Sequence, residues 1–256
     1  MVPFNSAIPI ASLKKITRTL HDSISRVATG LKVMGGNDAG SQSLANTLNA
    51  RAASFQAVES NTDSGISLLQ LAESALLELN NLATRLKEIG IADTLSTNTT
   101  SDTAALNSEA IYVSDTIDSI VSSLTYNGIN ILATSSKTFG IGINDEGDSQ
   151  TIQTTTGIGA TNINDATNAN TSMATTIGEI TQSLGALSGS LVSLKAYQNV
   201  ATTTKAHLIQ AASNLQDTDF AEETAKITKQ SLIRNYALAM VATANSEELE
   251  KLKLLA

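Results

Sequence analysis

General acid–base chemistry in this chain would have to start from His21 and His207, its only two histidines. They lie in distant segments, each among polar residues on a stretch of helical periodicity, so both read as solvated helix-face imidazoles. No G-x-S-x-G, H-E-x-x-H or P-loop sequence occurs. Gly140-Ile141-Gly142 and Gly157-Ile158-Gly159 lack the third glycine and following helix that a pyrophosphate site needs, and read as strand or turn glycines. Asp145, Glu146 and Asp148 are close enough to suggest calcium. An EF-hand, however, wants ligands at alternate positions, a central Gly and a late bidentate Glu, and Asn144-Asp145-Glu146-Gly147-Asp148 reads as a hairpin turn instead. Asp217, Asp219, Glu222 and Glu223 fit the positive end of a helix dipole better than a metal. Asn98-Thr99-Thr100 and Asn170-Thr171-Ser172 match the glycosylation sequon, a match that arises readily by chance in Thr-rich stretches. The absence of cysteine excludes thiolate catalysis, disulfides and Cys-ligated zinc. The expectation is a protein with no catalytic, cofactor or metal residues.

Composition narrows the class further. The 256 residues carry 24 acidic against 16 basic side chains, a formal charge of -8, which disfavours nucleic acid and anionic membrane surfaces because such binding needs clustered Lys and Arg. Aromatics are only 3% and Trp is absent, so packing must rest on Leu, Ile, Ala and Val stripes. The longest apolar stretches, such as Tyr236 to Ala244, fall far short of the roughly 20 residues that span a bilayer. No membrane insertion is expected. The order of charge and apolarity from Met1 to Lys15 is wrong for a cleaved secretory leader, so export would use another route.

The elements follow from periodicity. Leu13, Ile16, Leu20, Ile24, Val27, Leu31 and Met34 recur at steps of three and four, predicting a first helix that ends at Gly35-Gly36, with Pro3 and Pro9 delaying its start. After Gly40 a seam runs Leu44, Leu48, Arg51, Phe55, Val58, Thr62, Gly65, Leu69, Ala72, Leu76, Leu79, Ala83, Leu86, the rhythm of a coiled coil. A third helix carries Leu106 to Leu124 and stops at the turn signal Asn127-Gly128. A fourth begins near Ile177 and keeps the heptad rhythm to Leu215. Between them, Lys137 to Ile143 and Gln150 to Thr155 alternate around the acidic turn and predict a small hairpin at about 137–155. Asp219-Phe220-Ala221-Glu222 fits a capping box, opening a last helix through Ile227, Leu232, Ile233, Tyr236 and Met240.

The predicted class is mainly α: an elongated rod of long antiparallel coiled-coil helices with a small β-hairpin and paired N- and C-terminal helices. A helix of about 50 residues is roughly 75 Å long, whereas a compact globule of this size is about 45 to 50 Å across. The central seams can cover one another. The terminal seams cannot fully do so, and they invite stacking against other copies. The self-association candidates are Leu13, Ile16, Leu20, Ile24, Val27, Leu31, Phe220, Ile227, Leu232, Ile233, Tyr236 and Met240.

At the level of motifs the chain resembles bacterial flagellin. The N-terminal residues that carry this are Ser25-Arg26-Val27-Ala28-Thr29-Gly30-Leu31-Lys32, Asn37-Asp38-Ala39-Gly40, Asn61-Thr62-Asp63-Ser64-Gly65-Ile66-Ser67-Leu68, Ala72-Glu73-Ser74-Ala75-Leu76 and Tyr126-Asn127-Gly128-Ile129-Asn130-Ile131-Leu132. The C-terminal ones are Asp217-Thr218-Asp219-Phe220-Ala221-Glu222-Glu223-Thr224-Ala225-Lys226, Ala239-Met240 and Ala244-Asn245. The resemblance implies terminal coiled-coil helices (1–36 and 217–256) in an innermost filament layer, a helical 37–216 region with the hairpin in the next, and no large outer domain. It implies a structural subunit that polymerises into the extracellular flagellar filament and serves motility as a propeller. Its partners would be other flagellin subunits, hook-associated junction and cap proteins, an export chaperone and the type III export apparatus. Flagellins are also recognised by an innate immune receptor, through positions that align with Lys87, Glu88, Ile89 and Glu109. Lys lacks the bidentate fork of Arg, and Gly90 should weaken the local helix, so weak activation is expected. A hook-filament junction protein is the nearest alternative, with a chemoreceptor-like signalling hairpin and an enzyme in the Thr-rich middle behind it. The tail Glu247-Glu248-Leu249-Glu250-Lys251-Leu252-Lys253 is more charged than the family's mostly uncharged end.

Overall fold

The computed structural model describes the backbone of residues 7–32, 39–159 and 163–255, and their side chains except at 7–10, 248, 249 and 251–255. Its elements in order are α1 (Ala7–Thr29), α2 (Ala39–Asp93), α3 (Thr100–Ser123), β1 (Thr125–Tyr126), β2 (Ile129–Asn130), β3 (Lys137–Gly142), β4 (Ser149–Thr155), α4 (Ala166–Gln216) and α5 (Phe220–Leu255). The expected class, mainly α with a small hairpin, is what the chain adopts. Two compact units emerge, one from 1–50 with 207–256 and one from 51–206. Their boundary falls inside α2 and α4, whereas the layers implied by the resemblance divide at 36/37 and 216/217. The first turns of α2 and the last turns of α4 cluster with the terminal helices, a grouping that heptad rhythm does not encode.

Within unit 51–206 the core follows the expected seams. Phe55, Val58, Leu69, Ala72, Leu76, Leu79, Ala83 and Leu86 of α2 are buried, as are Ile117 of α3 and Ile180, Leu187, Leu194 and Ala201 of α4. Thr62 interrupts the apolar seam without leaving a polar group stranded, because its hydroxyl donates back to the Val58 and Glu59 carbonyls. At its amino-terminal end the α2 seam runs one residue later than the periodicity suggests. Ala45 and Ala52 are buried while Leu44 is 51% exposed, and Arg51 turns outward to Asp145.

The short elements are fixed by local chemistry. Asn127 and Gly128 both take left-handed conformations (φ 49° and 76°), closing the β1–β2 hairpin with the turn that its strand twist favours. In the β3–β4 hairpin, Asn144 Oδ1 accepts from the Glu146 and Asp148 amides, and Arg51 grips Asp145 at 2.6 Å. The acidic turn is thus spent on its own backbone and one guanidinium. At the open end of the hairpin, where Thr155 pairs with Lys137, Ser183, fully buried on α4, meets the hydroxyls of Thr155 and Thr156 and accepts the Thr156 amide. About three turns farther along α4, Gly65 of α2 makes room for Leu194 and for Ile141 of β3, since a Cβ there would lie 2.8 Å from Leu194 and 3.1 Å from Ile141.

Three helix starts depart from expectation. α4 begins at Ala166, eleven residues before Ile177, because Asp165 caps it by accepting the Asn168 amide and because Ala166, Ala169 and Met173 are buried in the core. α1 includes Pro9 in its first turn, where a missing amide costs nothing. The Asn98-Thr99-Thr100 sequence serves as a helix cap: Thr99 and Asp102 satisfy each other's backbone amides at the head of α3.

Candidate assembly interface on the terminal helices

In the unit formed by 1–50 and 207–256, α1 and α5 pack together and are tied at one end by a backbone joint. α1 ends at Thr29, and Gly30 takes a left-handed turn (φ 73°), its amide still donating to the Arg26 carbonyl at 2.8 Å. The Thr218 amide then donates to the Gly30 carbonyl at 2.9 Å and the Lys32 amide to the Gln216 carbonyl at 2.7 Å. Leu31 forms an antiparallel bridge with Asp217, so it leaves the helical stripe to which its spacing assigned it. The expected end at Gly35-Gly36 lies outside the described residues, as does Met34.

About one turn into the pair sits an ion cluster centred on a buried carboxylate, that of Glu223. Glu223 receives Arg26 at 3.4 Å and Lys226 at 2.9 Å. Burial resists ionisation of Glu223, but the hydrogen bonds from Lys226 and Ser23 and the positive charges of Lys226 and Arg26 outweigh it and hold the carboxyl below its ordinary range. Lys226, hydrogen-bonded to Glu222 and Glu223, is raised in turn. Asp219 caps α5 as expected, accepting from the Ala221 and Glu222 amides. The capping box is incomplete, because the Glu222 carboxylate turns to Lys226.

The twelve self-association candidates divide into two groups. Leu20 is buried, and Leu13, Ile16, Val27, Leu31 and Ile227 are half-buried within the single chain. Ile24, Phe220, Leu232, Ile233, Tyr236 and Met240 are exposed, Tyr236 and Met240 by 74% and 65%. Leu238, off the periodic stripe, is exposed as well. At about 100° per residue, Leu232, Ile233, Tyr236 and Met240 fall in one sector of α5, and Phe220 and Leu238 lie on about the opposite side. α5 therefore presents two apolar flanks. Unit 51–206 adds exposed Tyr112, Val192 and Val200, which seam counting had left among residues of no special role.

Of the receptor-equivalent positions, Lys87, Glu88 and Ile89 lie near the carboxyl end of α2 and Glu109 lies on α3. Ile89 is only 2% exposed, whereas Glu88 and Glu109 reach solvent. Arg85, which motif spacing passed over, holds Glu109 through Nε and Nη2 at 3.0 and 2.6 Å and approaches Glu88 at 3.4 Å. A guanidinium fork is thus present beside Lys87, already engaged. Gly90 does not break α2, which continues to Asp93. It admits the start of α4, since a Cβ there would stand 2.6 Å from the Asn170 amide nitrogen.

Among the described residues no group of three His, Asp or Glu side chains could hold a metal ion, and no helix is long and apolar enough to cross a membrane. His21 and His207 are both exposed on their helices. The family described as the bacterial flagellin N-terminal helical region matches residues 5–137. A flagellin of Halalkalibacterium halodurans is 28% identical over 247 residues, covering 90% of this chain and 89% of that protein. Flagellins of Escherichia coli K12 and Salmonella typhimurium LT2 are 32% and 31% identical over 50% and 52% of this chain, and the match spans only 26% and 28% of their own length. The crystal structure of Bacillus cereus flagellin aligns with a TM-score of 0.39 at 22% identity, over 61% of this chain and 93% of that one. With the family match covering just over half of the 256 residues, the chain belongs to the bacterial flagellin family.

Proposed function

We propose that the chain is a structural subunit of the bacterial flagellar filament and that it polymerises through the two apolar flanks of α5. The observation that carries the mechanism is their placement on opposite sides of one helix. A single twofold partner covers one surface, whereas two unlike flanks call for heterologous contacts, which a helical operator repeats into an open tube.

Magnitudes favour a lattice over a pair. Completing the burial of a half-exposed large apolar side chain contributes about 1 kcal/mol, half of the roughly 2 kcal/mol for full burial. Four such residues on one flank supply about 4 kcal/mol, at the lower edge of the roughly 4 to 15 kcal/mol that association costs in lost freedom. Isolated dimers are then marginal, and contact with several neighbours at once is needed. Assembly should depend on seeding and strengthen with moderate salt, which screens repulsion between subunits of charge -8.

By family analogy the subunit is exported unfolded through the type III apparatus with its chaperone, joins the filament outside the cell, and meets hook-associated proteins at the filament's ends. Its role there is mechanical, passing motor torque to the fluid, with no chemistry of its own. Negative-stain microscopy of purified, seeded protein tests the reading. Tubes of micrometre length are expected; short stubs would favour the junction role, and monomers alone would reject both.

A further inference from the structure

Asn127 is the single asparagine of the chain followed by glycine, and it stands at the tip of the β1–β2 hairpin. Both loop residues are exposed, and a Cβ built on Gly128 meets nothing within 4 Å. Asparagine before glycine is open to an internal reaction, because no side chain on the next residue shields its backbone nitrogen. The Gly128 nitrogen attacks the Asn127 side-chain carbonyl carbon, gives up its proton and expels the side-chain nitrogen as ammonia, closing a five-membered succinimide. Water then opens the ring at either carbonyl. One opening yields aspartate; the other yields isoaspartate, whose main chain runs through Cβ and is one carbon longer. Other asparagines are spoken for: the side-chain amide of Asn98 donates to the Ala92 carbonyl, that of Asn130 to the Val121 and Ser122 carbonyls, and that of Asn144 to Asp148.

In the folded chain the backbone holds the reaction back. Ring closure requires rotation about the Asn127 Cα–C bond, which brings the Gly128 nitrogen against Cγ. The left-handed pair (φ 49° and 76°) fixes that bond in a tight turn between the partners Tyr126–Ile129 and Thr125–Asn130. Turning it parts the strands. The two products also differ in what they allow. Asp-Gly suits the same turn as Asn-Gly, so aspartate keeps the hairpin, whereas the added backbone carbon of isoaspartate mismatches a two-residue loop. The strand that then loses its register carries Asn130, bound to the end of α3, and is followed by Ile131 and Leu132, both fully buried.

We propose that Asn127 is a self-modification site guarded by folding: the unfolded chain converts it through the succinimide, the closed hairpin slows the conversion, and a chain carrying isoaspartate there cannot rebuild the hairpin. Time spent unfolded is thereby recorded as a lasting defect beside the core. The inference is independent of polymerisation.

The test follows each asparagine by peptide mass mapping, with enzymatic methylation to mark isoaspartate, in the native chain held at mildly alkaline pH either folded or in guanidinium chloride. In denaturant Asn127 should convert at least about tenfold faster than any other asparagine, and folding should slow it by at least about tenfold. Gly128→Ala, read in denaturant where its effect on the turn is irrelevant, should bring Asn127 down to the rate of the others. After refolding, isoaspartyl chains isolated by chromatography should unfold at lower urea than N127D, which should match the native chain. The proposal is overturned if Asn127 is no faster than the other asparagines in denaturant, if neither folding nor G128A slows it, or if the isoaspartyl chain is as stable as N127D. Filament formation by the unmodified chain, present or absent, leaves these outcomes unchanged, so the two readings fail separately.

Discussion

Arg26 and Glu223, 197 positions apart in sequence, meet at 3.4 Å where α1 and α5 join, and the carboxylate between them and Lys226 is almost wholly withdrawn from solvent. Because both positive partners converge on one buried oxygen, Glu223→Gln takes from Arg26 the counter-charge it faces and leaves Lys226 with Glu222 alone. Hydrogen bonds to charged groups contribute about 1.5 to 3 kcal/mol, so amide exchange along α1 should accelerate at least tenfold while the core of unit 51–206 keeps its protection. Unchanged exchange in α1 would remove the pair from its locking role.

This cluster and two carboxylates elsewhere set a pH window. Glu223, Glu59 and Asp145 have carboxyls lowered in the folded chain: Glu223 against its burial, Glu59 by hydrogen bonds from Lys205 and Thr202, Asp145 by that from Arg51. A lowered acid contributes stability above its unfolded pKa and loses it as pH falls through the folded value, so the acid limb begins below about 4.5. Lys226 is raised, and its contribution is present below its unfolded pKa and fades as pH climbs past about 10.4. Thermal unfolding should be flat between about pH 5 and 10 and fall on both sides. E223Q should make the acid limb shallower; an identical limb in that variant would argue against the assignment.

Gly65 and Gly90 should respond differently to alanine, although helix propensity alone favours both changes by about 1 kcal/mol. At Gly90 the obstacle is the Asn170 backbone at 2.6 Å, which cannot move without shifting the start of α4. At Gly65 the nearest obstacle is the Leu194 side-chain end, which can rotate, with Ile141 beyond it. Gly90→Ala should lower stability by about 2 kcal/mol and Gly65→Ala by less than half of that, read from urea midpoints.

Polar substitution on one α5 flank separates folding from assembly. Tyr236→Ser with Met240→Ser removes exposed apolar surface, so urea midpoints should stay within about 0.5 kcal/mol while polymer mass in sedimentation falls severalfold. Full polymerisation of this double variant would shift the weight of adhesion to the Phe220–Leu238 flank or to Val192 and Val200.

For the immune receptor suggested by the family resemblance, we propose weak activation. Ile89 is buried, Lys87 has no fork, and the fork of Arg85 is already bound by Glu109 and approached by Glu88. Reporter cells given purified protein should respond feebly, and R85K should change that little. A robust response at ordinary agonist doses rejects the proposal.

The repeating residues from Phe55 to Leu86 and from Ile180 to Ala201 were readable in advance, because burial on one side of a long helix repeats every three or four residues whatever the partner. The capping role of Asp219, the turn at Asn127-Gly128 and the hairpin at about 137–155 were readable for a similar reason: residues that satisfy nearby backbone need no distant neighbour, although the short β1–β2 pairing around that turn was not foreseen. What periodicity could not supply was the other side of each contact. The shift of the seam from Leu44 to Ala45, the departure of Leu31 into a bridge with Asp217, the need for glycine at position 90 and the engagement of Arg85 all depend on atoms contributed from far along the chain. Sequence fixes which side chains avoid water through their spacing along one backbone. The folded chain alone decides which of them already have cover, and so which flanks of α5 are left for another molecule.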